Sequence, residues 1–249
     1  MNPDGIYTDI KIPVETQAPR AKEESTSPYV LLNMVESADG KASIDGKASG
    51  LGTDVDRSVM RTLRSRADAV MVGGGTLRAE RLSLSLDPED ARAVPRAVIL
   101  SNTGDLPLEK NLVWDHRQEV LVLLPESADK GVEVRLGRFA EIRKVTATQS
   151  GSIDVAKALE IIKRVYGIDI LLCEGGPRLN RALIRANLAD ELFVTVAPVL
   201  VGSNAVEEPR ARFPARHGDP RALRLISSHA IGDELFLRYA VQRHSQPEP

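Results

Sequence analysis

Cysteine occurs once in the 249 residues, at Cys173. A single thiol can form neither a disulfide framework nor a cysteine-based zinc cluster within one chain. Cys173 stands in an apolar run and reads as an inert buried thiol. Long basic runs are also missing, and 33 Lys and Arg against 35 Asp and Glu leave a formal charge of −2. Nothing electrostatic therefore calls for a nucleic acid or a membrane surface. No apolar run reaches the roughly 18 residues of a membrane span, and the N-terminus lacks a basic-then-apolar leader. The expectation is a soluble, cytoplasmic protein with a small-molecule partner. Neither an internal repeat nor a dividing linker appears, and the length suffices for a substantial core.

Against these absences one stretch stands out, Ile168-Asp-Ile-Leu-Leu-Cys-Glu-Gly-Gly-Pro-Arg-Leu-Asn180. Residues 168–173 are apolar at all positions but one, as in a strand buried on both faces of a parallel sheet. Gly175 and Gly176 allow positive φ and close backbone approach, and Pro177 suits a first helical position. Helix N–H groups opening there face the carboxyl end of the sheet, where an anion such as a pyrophosphate binds. Glu174 is left at the strand tip. A turn that merely needed glycine is the competing reading of these residues alone.

The rest of the chain follows an α/β pattern. Residues 1–27 have no hydrophobic period and read as an arm, and residues 244–249 as a tail, leaving 28–243 as the domain. Tyr29–Glu36 has strand composition, and the Asp39-Gly40 turn after it suggests a hairpin. A second Asp-Gly pair, Asp45-Gly46, opens a loop through Gly52, and Thr53 is a credible N-cap. From Thr53 to Ala67 the apolar face is Val55, Val59, Met60, Leu63 and Ala67, which places Asp56, Arg57, Arg61 and Arg64 elsewhere. Residues 69–72 followed by Gly73-Gly74-Gly75-Thr76 form a second strand-to-turn junction. Residues 96–101 and 119–124 read as buried strands, and Ser152 as the cap of a helix that Gly167 ends. After the helix from Pro177, strands at 190–201, 224–231 and 234–241 lack long intervening helices, which suggests an antiparallel edge.

Taken together, Tyr29, Ser37-Ala-Asp39-Gly40-Lys41, Ser49 to Thr53, Leu63-Arg64, Asp68 through Gly75-Thr76 and Glu174-Gly-Gly-Pro177 resemble the riboflavin-biosynthesis reductase family. The resemblance runs from about Tyr29 to Val241. It implies a dihydrofolate reductase-like α/β fold: a mostly parallel central sheet with antiparallel C-terminal strands and helices on both faces. It further implies an NADPH-dependent reduction of a ribosylaminopyrimidine 5′-phosphate to the ribitylamino compound, by a homodimer. Thr53, Gly75, Thr76, Glu80, Gly175, Gly176, Pro177, Arg178 and Leu179 match cofactor-contacting positions, and Ser101 and Ile153 match more loosely. Ser49, Arg64 and Glu174 match positions that hold the substrate. A guanidinium suits a phosphate, and a carboxylate can accept from pyrimidine N–H groups. Asn33 and Asp39 are implied to face the reacting carbon, with Asp39 able to hold or deliver the proton an imine nitrogen needs. An ordinary Asp-Gly turn, a solvated helix face and pure helix capping are the competing readings for Asp39, Arg64 and Thr53.

Two departures bear on the substrate. Asn33 stands where most bacterial members have Lys, and is closer to archaeal members that act without a fused deaminase. After the Thr76 turn the chain reads Leu77-Arg-Ala-Glu80-Arg-Leu82 rather than the family's Asp-Asp-Pro. One cysteine cannot supply the zinc deaminase signature. A reductase of another heterocycle such as dihydrofolate, and a nucleotide-binding protein without turnover, stay open as alternatives, because fold similarity does not identify a substrate.

Overall fold

The computed structural model describes residues 25–80, 84, 94–107, 118–202 and 220–242. All but the end of the expected arm, and the expected tail, lie outside the described residues. The elements are β1 (Tyr29–Ser37), α1 (Asp54–Arg64), β2 (Ala69–Gly73), α2 (Gly74–Glu80), β3 (Arg96–Leu100), β4 (Val120–Pro125), α3 (Lys130–Leu136) and β5 (Glu141–Val145). There follow α4 (Val155–Tyr166), β6 (Ile170–Cys173), α5 (Pro177–Arg185), β7 (Glu191–Ala197), β8 (Leu223–Ile231) and β9 (Glu234–Val241). A short 3-10 turn, Ala48–Gly50, precedes α1.

The strands form one sheet in the order β5-β4-β3-β2-β6-β1-β7-β9-β8. Strands β1 to β7 are mutually parallel, β9 is antiparallel to β7, and β8 is antiparallel to β9. This is the dihydrofolate reductase-like arrangement expected, with two local differences. The Asp39-Gly40 turn forms, with Gly40 N–H donating to Ser37 C=O at 2.9 Å. It does not lead into a hairpin, because β1 takes β6 and β7 as its neighbours. Likewise β7 belongs to the parallel part through β1, and the antiparallel edge begins only at β9.

Period-2 alternation assigns the strand residues to two cores. Leu31, Ile170, Leu172, Phe193 and Phe236 lie with Val59 and Leu63 of α1, Leu77 of α2 and Leu136 of α3. On the opposite face Val30, Leu32, Leu171 and Cys173 lie with Leu159 and Ile162 of α4 and Leu179 and Leu183 of α5. Cys173 is fully buried, and burial pushes its thiol up to about 12. Gly167, at φ +67°, ends α4. The cap that starts α4 is Asp154, which accepts from Ala156 N–H and Lys157 N–H, and not Ser152 two residues earlier. The α3–β5 unit was not anticipated, since β5 is exposed at most positions and carries no apolar run.

Candidate active site

Chain order places the site. From β2 the sheet grows outward through β3, β4 and β5, after which the chain returns to insert β6 between β2 and β1, then adds β7 beyond β1. Such reversals open a crevice at the carboxyl ends of the strands. The two glycine junctions meet there, since Gly73 ends β2 and Gly175 follows β6, and Gly73 N–H donates to Gly175 C=O at 2.8 Å.

Each glycine has a reason. Gly175 has φ +88°, a conformation L side chains rarely adopt, and the Gly175–Gly176 peptide is cis. A Cβ on Gly176 would lie 2.6 Å from the Thr76 hydroxyl oxygen, so a side chain there would force the Thr76 hydroxyl, in the first turn of α2, to move. Gly74 is pressed on Ser101 in the same way, with an ideal Cβ 3.0 Å from its hydroxyl oxygen. Gly75, in contrast, is exposed and meets nothing within 4 Å. Pro177 opens α5, whose N-cap Gly176 provides no side-chain acceptor. Leu179 points into the core and offers the crevice only backbone, while Arg178 is exposed.

On the α1 side of the sheet, alternation runs along β1 and continues one residue past the end of β6. Glu174 follows Ile170 and Leu172 to that side, and Asn33 follows Leu31. Asn33 lies one residue beyond the last β1–β6 pair, Leu32–Cys173, and is paired with Phe193 of β7. Above them Arg64 grips Glu174 with a fork: Nε donates to Oε1 at 2.7 Å and Nη2 to Oε2 at 2.6 Å. The two side chains are only 4% and 7% exposed. Burial pulls the Arg64 pKa down, but the charge and hydrogen bonds of Glu174 outweigh it and leave it above the ordinary value. Arg64 is therefore not on a solvated helix face. It extends the i, i+4 ridge Asp56–Met60–Arg64, which lies next to the ridge of Val55, Val59 and Leu63 and is turned toward the sheet with it.

The other expected residues divide between the crevice and its supports. Thr53 caps α1, accepting from Val55 N–H at 3.1 Å and Asp56 N–H at 3.3 Å. Its hydroxyl proton goes to Glu234 at the start of β9. Glu80 accepts from Ala48 N–H and ties the end of α2 to the 3-10 turn that contains Ser49. Ser101 is buried after β3 and accepts from Gly104 N–H at 3.0 Å. Ile153 is also buried, and its N–H donates to Asn102 Oδ1 at 2.9 Å, joining the loops after β3 and before α4.

Asp39 is built as an acceptor. Its carboxylate takes the Ser37 hydroxyl at 2.6 Å, Val201 N–H at 3.1 Å and Gly202 N–H at 2.9 Å. Those hydrogen bonds, that of Ser37 foremost, hold it down at about 2. A carboxyl so stabilised as its anion is poorly suited to deliver a proton near neutral pH. The turn-building role fits this geometry better than the acid role.

Two residues at the crevice were not expected as site residues from the sequence, Asp56, which follows the Thr53 cap by three positions, and Glu234. Desolvation by burial is the chief cause that pushes Asp56 up to about 6, against a hydrogen bond from Thr195. The ridge that carries Arg64 was a usable signal for Asp56, and the alternation from Phe236 was one for Glu234. Among the described residues no set of three or more His, Cys, Asp or Glu could hold a metal, and no helix is long and apolar enough to cross a membrane.

Comparison with known proteins agrees with this architecture. The chain is 29% identical over 224 residues to a 2,5-diamino-6-ribosylamino-4(3H)-pyrimidinone 5′-phosphate reductase of Methanothermobacter thermautotrophicus, covering 86% of this chain and 99% of the relative. It is 28% identical to the Aquifex aeolicus protein of the same description, over 72% of this chain and 80% of that one. Among solved structures, RibD of Acinetobacter baumannii superposes with a TM-score of 0.71 at 24% identity, over 88% of this chain and 59% of that longer one. A riboflavin biosynthesis reductase of Saccharomyces cerevisiae superposes with 0.65 at 18% identity, over 89% and 93%. The RibD C-terminal domain family matches residues 28–237, and the chain belongs to that family of reductase domains.

Proposed function

We propose that the protein is an NADPH-dependent reductase that converts a ribosylaminopyrimidine 5′-phosphate to its ribitylamino product. The observation that carries this reading is the buried Arg64–Glu174 pair at the tip of β6, directly beside the two interlocked glycine junctions. That juxtaposition puts a grip for a phosphorylated heterocycle next to a cradle for a dinucleotide.

The residues fit NADPH in chemical type. Gly75 presents bare backbone, and α5 opens without a side-chain cap; Pro177 has no N–H and Leu179 N–H donates to Gly176 C=O, so the Arg178 N–H is the first-turn donor that a pyrophosphate can take. Arg178, exposed at the start of α5, adds a cation there. When bound, the cofactor supplies hydride to the first carbon of the opened sugar. The protein's part is to hold and orient. Each oxygen of Glu174 accepts one bond from Arg64, and a carboxylate has about four lone-pair sites, so capacity remains for N–H groups of a pyrimidine. Arg64 carries the charge a 5′-phosphate needs, and Asn33, one residue past the last β1–β6 pair, offers an amide to the substrate.

The full-length relative from Methanothermobacter, whose name specifies the diamino pyrimidinone phosphate, supports this substrate over the deaminated form. Two copies are also proposed, because the edge strand β8 exposes Leu223, Leu225 and Ile226. The deciding experiment follows loss of reduced-nicotinamide absorbance when the purified protein is offered the ribosylaminopyrimidine phosphates and, separately, dihydrofolate. Turnover with dihydrofolate alone, or with neither, overturns the assignment.

A further inference from the structure

Beneath the Gly175–Gly176 junction lies a buried amide whose partners do not explain its presence. Asn180 is the fourth residue of α5 and is 0% exposed. On the sheet below it Leu32 and Cys173 are register partners on the face that α5 covers, and alternation puts Met34, two residues past Leu32, on the same face. Among the described residues the Asn180 side chain bonds only to sulfur. Its Nδ2 donates to Met34 Sδ at 2.7 Å, and its Oδ1 accepts from the Cys173 thiol at 3.4 Å. The Cys173 sulfur in turn accepts from the backbone N–H of Gly175. A line of hydrogen bonds thus runs from Gly175 through Cys173 and Asn180 to β1, one residue from Asn33.

The amide also packs against Gly175, where an ideal Cβ would lie 3.5 Å from Asn180 Nδ2 and 3.9 Å from Oδ1. From β2, Gly73 N–H donates to Gly175 C=O at 2.8 Å. Gly175, at φ +88°, has no side chain of its own to lock it, so its placement comes from these neighbours.

For stability alone the amide is a poor choice. It carries two N–H donors and an oxygen acceptor, whereas a thiol is a weak donor and a thioether a weak acceptor. Burying polar groups with such partners costs free energy, and an apolar side chain of similar size avoids that cost. Leucine would therefore serve the core at least as well. What it lacks is direction, a fixed donor and acceptor that set where Met34, the Cys173 thiol and Gly175 lie.

We propose that Asn180 is a positioning residue for the cofactor, which acts through Cys173 and its own contact with Gly175 to fix the backbone that meets the dinucleotide. This rests on the reading that NADPH binds at the glycine junctions.

Asn180→Leu tests it with and without ligand. In ligand-free protein, hydrogen exchange at the Gly73 amide should quicken by about tenfold as the junction opens locally, while the urea midpoint stays level or rises. In a fluorescence titration, NADPH affinity should fall by about tenfold. Cys173 supplies the conservative pair. Cys173→Ser keeps a donor and an acceptor in one hydroxyl and should bind NADPH nearly as wild type does, whereas Cys173→Ala should follow Asn180→Leu. A lowered urea midpoint in Asn180→Leu, or failure to fold, would make the amide structural and overturn the proposal. Unchanged NADPH affinity in that variant, whatever the exchange rate, also overturns it and leaves the proposed function standing. Equal behaviour of the two Cys173 variants overturns the route through the thiol. Wild-type protein that binds no NADPH overturns both readings.

Discussion

Removing Arg64 should cost more in stability than any surface change, and the size of that cost can be worked from its burial. The guanidinium and the Glu174 carboxylate are joined at 2.7 and 2.6 Å with almost no solvent contact. Arg64→Met keeps much of the volume but leaves Glu174 charged and buried without a counter-charge. Breaking a buried pair from one side typically costs about 3–5 kcal/mol, whereas replacing both partners by apolar side chains is often near neutral. Glu174→Met should cost a similar amount, and the Arg64→Met/Glu174→Met double variant should recover most of it. With a urea slope of about 2 kcal/mol/M, each single substitution lowers the midpoint by roughly 1.5–2.5 M. The double variant should fold well and still lose turnover on the phosphorylated pyrimidine. A single-variant loss below about 1 kcal/mol refutes the reasoning, as does additivity of the two within about 0.5 kcal/mol. Either result would mean that the pair is solvated in solution.

Gly176→Ala should lower NADPH affinity at least about tenfold in a fluorescence titration, the scale of one strained or lost contact. Adding Thr76→Ala should restore part of it, because the next atom, Thr76 Cβ, lies 4.0 Å from the new methyl group. Unchanged affinity in a folded Gly176→Ala protein would remove the cofactor from this junction. Thr53→Ala should lose about 1 kcal/mol for the helix cap alone, and Thr53→Ser should restore it in the same urea assay, since the serine hydroxyl can also donate to Glu234. Asp39→Asn should speed hydrogen exchange at the Val201 and Gly202 amides. In wild type the Asp39 contribution to stability is present above the ordinary value of 3.8 and is lost as pH falls through about 2, so protection of those amides should fall on acidification through that range. Leu225→Glu on the exposed edge strand β8 should halve the mass seen by light scattering if the two-copy assembly uses that edge. An unchanged mass would place the contact elsewhere.

The sequence by itself determined the local parts of this protein. Apolar runs such as Leu171-Leu172-Cys173 have no polar face to offer and suit strands inside a covered sheet, and Gly175 and Gly176 before Pro177 suit a tight entry to a helix. Those constraints act within a few residues and are readable there. Strand order was decided by tertiary packing. Whether β1 pairs with its successor or with β6 and β7 depends on which faces α1, α4 and α5 cover, and no neighbouring residue encodes that. The same holds for charge. Arg64, Asp56 and Glu234 look solvated along the chain because each sits among polar residues. Only the layering of α1 over β6, β7 and β9 takes them out of water, joins Arg64 to Glu174, and raises Asp56 while Asp39, held by two backbone amides and a hydroxyl at the surface, is lowered. Desolvation and partner geometry are properties of the assembled sheet, so the chemistry of identical carboxyl groups was settled there.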